Sequence, residues 1–293
     1  RELLRRSSDM TRLPNIKGTD IFAGKKNEVI NLGSSAADLS TNNSRQIFNK
    51  VPGLSIWEND GSGIQTGIAT RGLSPNRSWE FNVRQNGTDI SSEVFGYPEA
   101  YYAPPSEALE KIEIVRGAGA LQYGPQFGGM LNYVTKKSLG NKPLSVESAQ
   151  TVGSFGLFNS FNAIGGKFKK FSYYAYLHQR NAQGWRENSA YRTRTASISM
   201  TYDFSKKWQL SAEYTNMNYV SQQAGGLSDM QFASDPRQSS RERNWFSTPW
   251  NTGSVQLTFT PSKTTQFTLK AFGVVAQRNS VGFMKAITIA DTI

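Results

Sequence analysis

Cysteine is absent from the 293 residues. That excludes disulfides, thiolate zinc sites and cysteine nucleophiles. There is a single histidine, His178, and it sits mid-strand with the parity of Tyr174 and Tyr176. It reads as an interior or lumen residue, and a Ser-His-Asp triad would have to use it. No G-x-S-x-G elbow exists for such a triad. The glycines match neither G-x-x-x-x-G-K-[ST] nor a G-x-G-x-x-G between strand and helix, and no cluster has metal-ligand spacing. The candidate carboxylates Glu58, Asp60, Asp89, Glu93, Glu99 and Glu113 lie nowhere near a histidine. No catalytic or metal site is expected, nor any resident cofactor. No run of 18 apolar residues occurs and mean hydropathy is −0.51, which rules out a transmembrane helix. It does not rule out a membrane β-barrel, whose alternating strands average out as polar.

Charge is present but scattered. The formal net charge is +11 with only 19% charged residues. That balance suits an anionic ligand or membrane surface better than nucleic acid, which would need a clustered basic stripe with stacking aromatics. The chain opens at Arg1 without an initiator Met or signal peptide, and it reads as an internal piece of a longer, processed product.

The organising stretch is Lys111 to Lys136. A strand, Ile112-Glu113-Ile114-Val115, meets Arg116-Gly117. A second, Met130 to Thr135, closes the unit across glycines at 117, 119, 124, 128 and 129, positions that suit tight or left-handed backbone. Upstream, residues 1–35 read as loop, with edge strands at Asp20–Ala23 and Glu28–Leu32. Asn43 to Lys50 forms a short helix stopped by Pro52-Gly53. Strands follow at Gly53–Trp57, Ile64–Thr70 and Phe81–Gln85, the last turning at Asn86-Gly87. The loops Trp57–Ile64 and Phe95–Tyr102 carry aromatics and hydroxyls and suit recognition. Trp57 divides evenly between core and function, and Ser62, between two glycines, is expected to be exposed.

From about Pro143 the period becomes two. Ala196, Ile198, Met200, Tyr202 and Phe204 alternate with polar neighbours, as do Trp208 to Tyr214, Val255 to Phe259 and Phe267 to Ala271. About seven strands of roughly ten residues or more are expected. Tight turns at Gly165–Lys170, Ser205–Lys207 and Pro261–Thr264 alternate with long connections near 181–191 and 216–251. Aromatics lie near the tight turns. A soluble β-sandwich shares the alternation, but not the strand length or the one-sided loops.

Val51-Pro52-Gly53-Leu54, Thr70-Arg71-Gly72-Leu73, Ile112 to Gly117, Tyr123-Gly124 to Gly128-Gly129 and Asn132 to Lys136, in this order, resemble the TonB-dependent outer-membrane transporters. Glu58 to Gly63, Arg71 to Pro75, Gly184 to Ala190 and Gly225 to Ser228 are similar to the ferric citrate receptors. The resemblance implies an α+β plug domain over 1–137, followed over 138–293 by the first strands, about seven, of an antiparallel transmembrane β-barrel of about 22. It implies import of a ferric chelate, ferric citrate or a similar anionic siderophore. The implied partners are that chelate, TonB with its inner-membrane motor, and outer-membrane lipid and lipopolysaccharide, around a monomeric barrel that binds no nucleic acid. Ser62, Tyr97, Arg77 and Arg278 are the ligand residues it points to. Tyr97 departs from an amide in the ferric citrate receptor. Arg71 and Arg116 match plug arginines that lock to barrel carboxylates, with Glu187 and Glu213 as partners to test. No TonB box precedes Arg1. The alternatives are a passive porin-like or adhesin barrel, and TonB-dependent import of haem or another metal chelate.

Overall fold

The computed structural model describes residues 10–34, 37–92, 101–286, 288–289 and 291. Short strands come first: β1 (Met10–Thr11), β2 (Ile16–Lys17), β3 (Asp20–Ile21), β4 (Asn27–Asn31), β5 (Leu54–Glu58), β6 (Thr66–Thr70), β7 (Phe81–Gln85), β8 (Thr88–Asp89), β9 (Leu109–Arg116) and β10 (Gly129–Thr135). Helix α1 (Ser44–Phe48) precedes β5 and is capped by Asn43, whose side chain accepts from the Gln46 N–H. That bond satisfies one orphan donor of a helix too short to stand alone. Six strands form one sheet in the order β1-β4-β9-β10-β7-β8. The Lys111–Lys136 stretch supplies its two central strands, β9 and β10, paired antiparallel. β10 also runs parallel to β7. Ile112, Ile114 and Leu131 are fully buried there. Glu28–Leu32 is no edge: β4 lies between β1 and β9, because Val29 and Ile30 are buried.

The long strands follow: β11 (Ser145–Gly153), β12 (Leu157–Phe168), β13 (Phe171–Ala182), β14 (Tyr191–Asp203), β15 (Trp208–Gln222), β16 (Trp245–Ser262), β17 (Thr265–Ala276) and the short β18 (Asn279–Val281). β11 to β17 form one antiparallel sheet in sequence order, and β18 pairs with the start of β16. Helix α2 (Asp229–Ser234) sits in the β15–β16 connection, closed by a capping box between Ser228 and Gln231. Short turns after β12, β14 and β16 define one rim. The connections 183–190 and 223–244 rise from the other, and the 154–156 turn beside them is short. The last long connection is shorter than expected because β15 and β16 continue to Gln222 and start at Trp245.

Burial decides between sandwich and barrel. Ile198, Met200, Val255 and Leu269 on the convex face are exposed, as are Tyr202, Phe204 and Phe267 by the short turns. Their inward neighbours Thr193, Thr195, Thr215 and Ser221 are buried against the plug. A soluble sheet would bury the apolar face instead. The opposite arrangement belongs to strands that face lipid. Trp208 and Phe259 stack at 4.2 Å beside the short-turn rim.

One buried charge ties the plug's N-terminal strands to its sheet. Glu113 accepts from Lys17 Nζ at 2.6 Å and lies 3.1 Å from Lys111 Nζ. Asn132 donates to its other oxygen at 3.0 Å. Burial pushes the Glu113 carboxyl up, but Lys17, then Asn132 and Lys111, outweigh it and hold the carboxyl below its ordinary value. A lowered carboxyl stabilises the fold fully above the unfolded value of about 4, and that contribution is lost as pH falls through the depressed folded value. In denaturant titrations of the full-length protein across acidic pH, Glu113→Gln is expected to be less stable near neutrality and to flatten that loss. An unchanged pH profile would contradict it.

Candidate functional site

The plug apex is built from three short pieces. Asp38 caps the 3-10 turn Leu39–Thr41, accepting from the Ser40 N–H at 3.0 Å. Asn42 follows with a left-handed φ of 51°. Its amide donates to the carbonyls of Ser62 and Gly63, at 3.4 and 3.3 Å, and its side-chain oxygen accepts from the Ser106 hydroxyl. Gly63 has φ +71°, and a Cβ there would meet the Asn42 carbonyl at 2.3 Å. Only glycine fits this approach. Within the β5–β6 loop, Asp60 accepts from the Ser62 N–H at 2.9 Å and from the Ser62 hydroxyl. This is an Asx turn of the kind an Asp-Gly-Ser run favours.

The wall of long strands grips this apex at its long-loop end. The Tyr219 hydroxyl, on β15, donates to Asp60 and lies 2.9 Å from the Ser62 hydroxyl. Arg180, on β13, is buried and donates to the Ser62 carbonyl at 3.3 Å and to the Ser40 carbonyl. Among the described residues it makes no ion pair, and its Nε has no hydrogen-bond partner. Burial raises the Asp60 carboxyl above its usual value, against the hydrogen bonds of Ser62 and Tyr219 that lower it. Both groups meet on Ser62: a carboxyl raised by burial, and a buried guanidinium that makes no ion pair among the described residues.

Next to it, Phe246 on β16 meets the Tyr219 ring edge-on at 5.3 Å. Arg278 lies over Phe246 at 5.7 Å and over the plug's Tyr101 at 5.4 Å. Tyr102 stacks on Trp250 at 6.0 Å and donates to Gln85 at 2.7 Å. Below the apex, a cavity of about 700 Å³ separates the plug sheet from β16–β17 and is lined by Arg84, Lys111, Lys137, Lys270, Glu110 and Glu113, among others.

Two of the residues expected from sequence thus meet at one end of the wall: Ser62 and Arg278 are joined through Tyr219 and Phe246. Ser62 is not exposed as expected. It is 1% accessible because its hydroxyl is engaged by Asp60. Trp57, in contrast, is exposed. Tyr97 lies outside the described residues. Arg77, with φ 60°, sits over Trp79 at 6.0 Å. Arg116 does not meet Glu187 or Glu213. It forms a bidentate pair with Glu28 inside the plug, at 2.8 and 3.0 Å, and donates to the Pro52 carbonyl at 2.7 Å. β4 lies next to β9 in the sheet and brings that carboxylate within reach. Exposed Arg71 lays its guanidinium against Gly117, where a Cβ would come within 2.6 Å of it.

The described plug-to-wall contacts use other residues. Asn86, at the β7–β8 turn, donates to Glu213 at 2.6 Å, and its carbonyl accepts from Lys270 at 2.8 Å. The plug's Glu107 accepts from Asn159 at 2.7 Å, and Asn159 is 2.7 Å from His178 Nε2. Arg180 shares the parity of Tyr174, Tyr176 and His178, so the inward face of β13 was the available signal for it. Nothing in the sequence points from Asn86 to Glu213, 127 positions apart. Among the described residues, no three His, Asp or Glu side chains gather as a metal site.

Comparison with known proteins agrees with this architecture. Residues 33–130 match the TonB-dependent receptor plug domain. The unliganded ferric citrate transporter FecA superposes with a TM-score of 0.74 at 25% identity, over 89% of this chain and 41% of that one. The ferric-catecholate import receptor Fiu of E. coli K12 gives 0.67 at 12%, over 87% and 39%. The ferric yersiniabactin uptake receptor FyuA of Yersinia pestis gives 0.65 at 15%, over 88% and 42%. The chain spans less than half the length of each. The two likenesses at lower identity concern the fold alone.

Replacing Tyr219 by Phe removes one donor from Asp60, a loss of about 1 kcal/mol. Amides 60–64 of the full-length protein are expected to exchange about fivefold faster by hydrogen–deuterium exchange, with the plug sheet unchanged. Equal exchange would contradict the apex anchor.

Proposed function

From a chain that carries the plug domain of the TonB-dependent receptors, followed by antiparallel strands of their outer-membrane barrel, we propose an importer of an anionic ferric chelate, with ferric citrate as the leading candidate. Proteins of this family are transporters rather than enzymes. The observation that carries the reading is the apex itself: Arg180 is buried with no ion pair among the described residues, the Asp60 carboxyl is raised by burial, and Arg278 stands over Tyr101 and Phe246 at the same end. An anion above Ser62 would compensate Arg180, and Arg278 offers a planar fork for a carboxylate. The likeness to the ferric citrate transporter and the absence of clustered basic stripes support the same choice.

The steps follow from the contacts. The ligand seats at the long-loop end and draws on Arg278. Its charge acts on the Arg180–Ser62–Asp60–Tyr219 network, which is the described joint between apex and wall. Weakening that joint frees the loop Trp57–Ile64 without disturbing β9 and β10. Energy has to come from a partner across the periplasm, because nothing in this chain matches a nucleotide-binding loop; TonB with its inner-membrane motor is the proposed source. Tyr97 and Arg77 are proposed as further ligand contacts. Ser62 acts by placing the loop, and Arg71 and Arg116 act as supports of the plug around Gly117 and Glu28.

In the full-length receptor, Arg278→Ala is expected to weaken ferric citrate binding by tens-fold to a hundredfold, the scale of one lost charge-assisted contact of about 1.5–3 kcal/mol. Arg71→Ala is expected to leave it unchanged. Equilibrium titration by intrinsic fluorescence reads both. Equal affinity of wild type and Arg278→Ala would overturn the assignment.

A further inference from the structure

The inward face of the wall changes character along β16 and β17. Toward the long-loop rim, Trp250 and Val274 pack with the plug in one apolar cluster. Toward the short-turn rim the same face turns polar. Cross-strand neighbours at the height of Lys270 are Gln256, Ser211 and Thr201. Two residues further on, the row is Thr268, Thr258, Gln209 and Asp203. The plug does not fill the space in front of Lys270 and Thr268. The cavity of about 700 Å³ lies there, bounded by β16–β17 on one side and by the plug sheet and the β2–β3 hairpin on the other. A smaller cavity of about 50 Å³ adjoins it and shares Asn86, Lys137, Gln256 and Lys270.

The cations around this space are engaged to different degrees. Lys17 and Lys111 pair with Glu113. Arg84 is held by the Asn82 side chain and by the carbonyls of Gly87 and Tyr123, with Asp89 at 3.8 Å. Lys270 donates to the Asn86 carbonyl at 2.8 Å. Among the described residues neither Lys137 nor Lys270 makes an ion pair. Glu213, which lines the smaller cavity with them, already accepts from Asn86 and Ser254. Glu110 and Asp20 stand on the plug side of the larger one. Two lysines, one from the wall and one just after β10, thus face one polar space. Its volume suits a small polycarboxylate, since ligand pockets run to roughly 300–1,000 Å³. Lysine meets a carboxylate as a hydrated point charge, without the fixed fork of arginine. A site on a passage has to bind weakly enough to let its ligand go.

We propose that Lys137 and Lys270, with the amides of Gln256 and Gln266, form a second and weaker site for polycarboxylates on the short-turn side of the plug, where an anionic chelate is held after it leaves the apex. An anion there competes with the Asn86 carbonyl for the Lys270 ammonium. Occupancy of the cavity is thereby tied to the Asn86 joint between plug and wall. The site's place on a passage rests on import of an anionic chelate. Its chemistry, carboxylates against two lysines, needs no iron.

The test uses the full-length receptor carrying Arg278→Ala, which weakens the apex, titrated by calorimetry with iron-free citrate. Adding Lys137→Gln/Lys270→Gln is expected to lower the citrate affinity about tenfold, the scale of a lost charge-assisted contact. Adding Lys137→Arg/Lys270→Arg instead is expected to keep it, and the neutral trimethyl ester of citrate is expected not to bind. With the apex intact, Lys137→Gln/Lys270→Gln is expected to leave ferric citrate affinity unchanged and to slow TonB-energised uptake at saturating ferric citrate. Equal citrate affinity with and without the glutamines, or equal binding of the ester, would overturn the site. Unchanged uptake would overturn its place on the passage. A ferric citrate affinity indifferent to Arg278→Ala would count against the apex assignment alone, because iron-free citrate reads the two lysines separately.

Discussion

The long strands turn aliphatic side chains outward, and their inward face meets the plug with hydrogen-bonding groups interleaved with buried aromatics such as Phe161, Tyr176, Tyr219, Phe246 and Trp250. That follows from a bilayer on the convex side. On the concave side Thr193, Thr195, Thr215, His178, Arg180 and Glu213 face the plug, alongside a buried apolar cluster in which Met217, Tyr219, Phe246 and Trp250 pack with plug residues such as Tyr101 and Tyr102. Each hydrogen bond contributes about 0.5–1.5 kcal/mol net. A plug held this way is positioned by many small terms that can be released in groups.

The contacts fall into groups. One is the apex, where Arg180 and Tyr219 hold the backbone of Ser40 and Ser62 and the carboxylate of Asp60. Another is the Asn86 turn, fixed to Glu213 and Lys270. A third runs through Glu107, Asn159 and His178. Glu113 and Arg116 act inside the plug, through Lys17 and Glu28, and preserve its sheet while the wall contacts change. Among the described contacts, the apex and the adjoining Tyr101–Arg278 pair couple directly to the end where a ligand would arrive, so a change there need not unfold the domain.

Much of this architecture could be read in the sequence. The period-2 strands from Ser145 onward, the tight turns at one rim and the central pair β9–β10 all follow from local patterns. Local patterns also gave α1 and the Asn86-Gly87 turn. The failures have physical causes. Ser62 looked exposed because two glycines flank it, yet an Asx turn and a tyrosine 157 positions away bury it. Glu28–Leu32 looked like an edge because its covering strand, β1, is two residues long. Arg116 met a plug carboxylate because strand order, invisible in a single sequence, sets β4 beside β9. Arg180 shares its parity with three aromatics, and parity alone does not tell a ligand-facing cation from a plug anchor.

The central claim is that the apex selects negative charge. Titrating the full-length receptor with ferric citrate, a neutral iron chelate, haem and vitamin B12 at low and high ionic strength tests it most directly. The account predicts that ferric citrate binds tightest, with an affinity that falls as salt rises, and that the neutral chelate and vitamin B12 bind weakly at both. Tighter binding of a neutral ligand, or a ferric citrate affinity indifferent to salt, would contradict it.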